Sequence, residues 1–144
     1  MTDGTARDQM EATLLAIAEA DVDIIPSLFD RFFAVFPDQR AAFINLGAAT
    51  GRMTSETIEA MIGLASGESW VPVTITNFVD LHRNYGAISF EHYAAFVDMT
   101  VDALADAAPQ NWTAAQNEAW RKQAERLKAM IAVACNGRTP VLST

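Results

Sequence analysis

Trp120, Ala124, Leu127, Ile131 and Ala134 recur at a 4-3-4-3 spacing that only a helix turns into one continuous face. A strand would scatter the same residues over both of its faces. Thr113 with Gln116 has the pattern of a capping box ahead of this run, and Asn136-Gly137 supplies a stop. The rest of the chain repeats the theme. Met10, Leu14, Ile17 and Ala18 form a stripe over residues 8–20, and Leu28, Phe29, Phe32, Phe33 and Phe36 give a denser one from Ile24 to Phe36. Pro26 suits a first helical turn. Pro37 ends that segment and starts a short turn through Arg40, closing near Phe43.

Asn45–Gly51, with two glycines in a polar setting, reads as a loop. A helix over Arg52–Ala65 follows, with Met53, Thr57, Ile58, Met61, Leu64 and Ala65 toward one side. Beyond Ser66-Gly67, Pro72 opens another helix whose face carries Ile75, Phe78, Val79 and His82. Gly86 stops it just past Asn84-Tyr85. Ser89 is a suitable N-cap for an amphipathic run from Phe90 to about Leu104. Pro109 closes that segment, and the tail from Arg138 onward is loosely held. The expectation is an all-α fold of six or seven helices with short connections, a single domain over 1–144 with its core at about 8–135.

Composition narrows the function classes. The chain is 51% hydrophobic and 19% charged, which places it with folded globular domains and not with disordered segments. A net charge of −8 argues against nucleic acid, which needs a basic footprint, and against an anionic membrane surface. Cys135 is the single cysteine, so no intramolecular disulfide can form. Acidic residues interrupt the N-terminal region where a secretory signal would be apolar, and no run reaches membrane-spanning length. These features together point to a cytoplasmic protein.

Two imidazoles are available. His82 lies in line with apolar side chains near a helix end, where a core histidine bonded to a backbone carbonyl is the plainer reading and a metal ligand the sharper one. His92, beside Glu91 at a helix start, is its rival. There is no phosphate-cradling glycine loop and no Cys/His cluster with zinc spacing. Glu56 with Glu59, and Asp102 with Asp106, read as solvated faces.

Three stretches carry a family resemblance. Leu28–Phe43, LFDRFFAVFPDQRAAF, resembles the second and third helices of a globin, and Leu81–Gly86, LHRNYG, resembles the segment with the proximal histidine. Ala119-Trp120 with Ala124 and Leu127 is similar to the last helix of bacterial single-domain globins and of the haem domain of flavohaemoglobins. The separation of 29 residues between Met53 and His82 matches the facing distal and proximal positions of the family.

The resemblance implies a globin fold of six to eight helices around haem b, with iron on His82. It implies that Phe43 packs against the porphyrin, that Phe29, Met53 and Thr57 lie on the distal side, and that Phe78, Tyr93 and Val97 complete the pocket. The Phe78 carbonyl would accept the His82 Nδ1–H, and Arg52 and Arg83 would be the propionate candidates. Function would be reversible binding of a diatomic gas: oxygen, nitric oxide or carbon monoxide. Any redox turnover of oxygen or nitric oxide would need an external reductase, since no flavin- or nicotinamide-binding segment is present. A homodimer is left open.

The chain also departs from the family. Phe29 and Met53 stand where flavohaemoglobins carry a tyrosine and a glutamine, and Ala124 where they carry another tyrosine. Met53 would be either a core residue or a sixth iron ligand. The apolar distal set leaves a second class open, a globin-fold sensor or interaction module that does not bind haem.

Overall fold

The computed structural model of the protein describes residues 5–42, 46–82, 88–137 and 140. Among them there are six α-helices and no strand: α1 (Ala6–Glu19), α2 (Ile25–Val35), α3 (Leu46–Ala65), α4 (Val71–His82), α5 (Phe90–Ala107) and α6 (Ala114–Cys135). Short 3₁₀ turns at Pro37–Ala42 and Pro109–Asn111 link α2 to α3 and α5 to α6. The fold class is all-α, as the periodic stripes require.

Local chemistry explains most boundaries. Thr5 accepts the Asp8 N–H at 3.2 Å while the Asp8 carboxylate accepts the Thr5 N–H at 3.1 Å, a closed capping box at the start of α1. Thr113 and Gln116 repeat this at α6, and Gly137, at φ 77°, follows the end of that helix in the left-handed region where glycine carries no Cβ penalty. Pro26 sits in the first turn of α2, where its missing N–H removes no helical bond.

The loop expected over Asn45–Gly51 is corrected from Leu46 onward, because α3 starts there. A helical glycine costs only about 1 kcal/mol relative to alanine, and tertiary burial overrides that. Thr50 and Thr54 on this stretch are buried, and the Thr54 hydroxyl donates to the Thr50 carbonyl at 2.8 Å. Helix α5 likewise extends past Leu104 to Ala107. The expected stop at Asn84–Gly86 lies outside the described residues.

Helix α6 is the hub, packing against α1, α3, α4 and α5, while α2 lies mainly on α5. Buried side chains from all six helices form one core, which includes Leu28, Met61, Val71, Val101, Trp120 and Leu127. Gly63 is what lets α3 approach the start of α4. A Cβ there would lie 2.7 Å from Val71 Cγ2 and 2.8 Å from Trp70 Cζ2. Ion pairs brace α5: Arg31 of α2 pairs with Asp106, Arg121 of α6 with Asp102 at 2.8 Å, and Lys128 of α6 with Asp98 at 2.9 Å. No helix among the described residues is long and apolar enough to cross a membrane.

Candidate functional site

The α3–α4–α5 region encloses a cavity of about 330 Å³, within the range of small-molecule and cofactor sites. Its walls are mostly apolar. Phe32 comes from α2, Met53, Thr57 and Ala60 from α3, Ile75 and Phe78 from α4, Tyr93, Phe96 and Val97 from α5, and Leu127 and Ile131 from α6. Besides the hydroxyls of Thr57 and Tyr93, the polar groups are Gln39, Arg52, Glu56, Thr74, His82 and His92.

His82 ends α4 and lines this space half-buried. Its Nδ1 lies 2.8 Å from the Phe78 carbonyl oxygen, one turn back on the same helix. A carbonyl can only accept, so Nδ1 carries the proton and Nε2 carries the ring's lone pair. The ring is held between two others. Phe78 lies 4.4 Å away between centroids, tilted at 56°, and Tyr93 lies 5.7 Å away, edge-on at 75°. Phe78 and Tyr93 also meet each other at 5.8 Å. The imidazole is thus fixed both in tautomer and in direction by groups from α4 and α5.

The α3 wall faces the same space with different chemistry. The Thr57 hydroxyl donates to the Met53 carbonyl at 2.7 Å, its single proton committed within its own helix. Met53 adds a thioether, a weak acceptor and no donor. Arg52 extends from this helix at an exposed position, and Glu56 sits half-buried one turn further on.

Of the residues anticipated from the sequence, Met53, Thr57, Phe78, His82, Tyr93 and Val97 come together on one cavity. Phe29 does not join them. It is 5% exposed within a cluster of rings, 5.3 Å from Phe96, 5.7 Å from Phe33 and 6.4 Å from Phe32. From α2 it is Phe32, nearly a full turn further along than Phe29, that lines the cavity. Phe43 and Arg83 lie outside the described residues. Ile75, Leu127 and Ile131 were legible as apolar stripe positions and Phe96 falls within the amphipathic run from Phe90, but nothing in their spacing distinguishes a cavity wall from ordinary core.

His92 also lines the cavity, from the first turn of α5. Its ring stands edge-on to Phe36 at 4.7 Å. The Ser89 backbone N–H donates to its Nδ1 at 3.1 Å, so this imidazole is held in the opposite tautomer, with the proton on Nε2. Among the described residues no group of three or more His, Cys, Asp or Glu is placed to hold a metal ion by itself. No protein-family model matches the chain, and no curated protein does.

Proposed function

We propose that the protein is a haem-binding globin in which His82 Nε2 is the proximal ligand to iron and a diatomic gas is the physiological ligand. The observation that carries this reading is the 2.8 Å bond from His82 Nδ1 to the Phe78 carbonyl on the wall of a mostly apolar cavity. That bond fixes the tautomer that puts a basic nitrogen at Nε2, the arrangement a metal-ligating histidine uses. The donor chemistry of the cavity suits the group. Aromatic rings at Phe78 and Tyr93 suit an apolar aromatic body, and Arg52 at an exposed edge suits its carboxylates. A cytoplasmic setting belongs to the same reading.

Haem b, held by His82, would supply an iron centre able to bind oxygen, nitric oxide or carbon monoxide. The protein's own part is to orient and to exclude. Phe78 and Tyr93 keep the imidazole from rotating, and Phe32, Phe96 and Val97 keep the cavity dry. On α3 neither Met53 nor Thr57 offers a proton to a gas ligand. Oxygen, which gains from a donor, is therefore held loosely compared with carbon monoxide, and turnover of either oxygen or nitric oxide draws electrons from an external reductase.

The test is the visible spectrum of the purified protein after incubation with haemin. A Soret band that shifts on reduction and again on carbon monoxide addition is the expected result. Failure to take up haemin stoichiometrically would leave the cavity to a haem-free sensor or interaction role.

A further inference from the structure

The two cavity histidines are locked in opposite tautomers, and only one of those locks survives protonation. In His82 the bonded nitrogen already carries its proton, so a second proton on the ring leaves the Phe78 bond intact. In His92 the bonded nitrogen is an acceptor. Ser89 contributes two groups to it, the backbone N–H at 3.1 Å and the hydroxyl at 3.2 Å. This is the reciprocal half of a capping box, a position that glutamate or glutamine usually fills and that neither loses in mild acid. Histidine loses it when Nδ1 is protonated. The Ser89 hydroxyl can rotate and accept instead, but the backbone N–H cannot, and two N–H groups are then left face to face. The added positive charge also falls on the first turn of α5, the end of the helix where the macrodipole disfavours it.

The ring is not an isolated cap, since it touches Phe36 at the end of α2 and forms part of the cavity wall. We propose that His92 is a proton-operated clasp, which when neutral caps α5 and holds that corner of the cavity against α2, and when protonated lets it go. The groups around it do not cancel the effect. Helix α2 presents the uncharged Phe36, the turn after it Gln39, α3 Arg52 and Glu56, and α4 His82; Glu91 is the charged neighbour on α5. Among the described residues none of these is hydrogen-bonded to the His92 ring, whose hydrogen-bond partners there are both on Ser89. Acidification would therefore loosen the cavity at one edge while leaving the His82 side in place.

The experiment is amide hydrogen exchange over residues 88–95 of the full chain without added haem, so it does not depend on what fills the cavity. Protection factors would be compared at about pH 7.5 and about pH 5.5. In the wild type, protection of this turn falls roughly fivefold on acidification, the size of one lost helix cap. His92→Gln, which keeps an acceptor that mild acid does not protonate, stays protected at both values. His92→Ala, with no acceptor, is poorly protected at both. A wild type whose protection does not change would overturn the clasp, and so would a His92→Gln variant that loses protection alongside it. Full protection of His92→Ala at about pH 7.5 would do the same.

Discussion

The α4 and α3 walls of the cavity use the same local device with opposite chemical results. On α4 the His82 ring donates to a carbonyl four residues back, and on α3 the Thr57 hydroxyl does the same. An imidazole has two nitrogens, so committing one proton leaves a basic lone pair on the other, directed by the bond just made. A hydroxyl has only one proton, so committing it leaves acceptors and nothing to donate. One wall thereby presents a basic nitrogen, while Thr57 and Met53 on the other offer no donor of their own. The difference shows that a hydrogen bond within a helix can either create or remove reactivity, depending on how many sites the side chain has.

The hardest test of this contrast is His82→Ala. Outer partners of a metal-bound histidine are worth ten- to a hundredfold in affinity, so removing the ligand itself should cost at least about a hundredfold in haem affinity. Titration with haemin would show it, with His92→Ala losing far less than His82→Ala. Unchanged uptake by His82→Ala would remove the basis for the contrast.

The spacing between the two walls can be attacked at Gly63. The added methyl of Gly63→Ala would overlap Val71 and Trp70, and Val71 is fully buried and has little room to shift. Overpacking of this kind costs about 1–3 kcal/mol, to be read from urea unfolding of the chain without haem. A variant as stable as wild type would mean that the helices adjust without strain.

Adding a donor to the α3 wall should sharpen the comparison. Met53→Gln presents an amide N–H, and a bond worth about 1 kcal/mol slows oxygen release roughly fivefold in stopped-flow measurements. Thr57→Val should change release by less than about twofold, because the hydroxyl it removes donates only to Met53. If oxygen release were already slow and Thr57→Val made it fast, the hydroxyl would be facing the ligand after all. Phe29→Tyr is a poor route to the same end, since its new hydroxyl would be buried among rings.

The smallest effect concerns the support that both walls share. Lys128 is 17% exposed, and burial pulls its pKa down. Hydrogen bonds to Glu125 and Asp98, with the charges of both, outweigh that and leave it raised above 10.5. The resulting stability is fully present below the unfolded value and fades as pH rises past 10.5 through the raised one. Lys128→Met should flatten that alkaline decline by less than about 1 kcal/mol, as for other partly exposed pairs. Thermal unfolding followed from neutral to alkaline pH would measure it.

The sequence by itself determined the helices and most of their ends. Periodicity, prolines and capping residues act within one or two turns, so Thr113 with Gln116 and Pro26 could be placed without knowing any neighbour. It failed at Leu46–Gly51, where glycines and polar residues weaken local preference and burial of Thr50 and Thr54 supplies what propensity lacks. The His82–Phe78 bond was also legible, being made inside one helix. Only the tertiary structure decided which of several equivalent apolar residues border empty space. Phe29 and Phe32 share a helix, a chemistry and a contact with Phe96 of α5, and only Phe32 also lines the cavity. The same holds for His92. Its cap is local, but its place on the cavity wall depends on how α2 and α5 meet, which no spacing along the chain encodes.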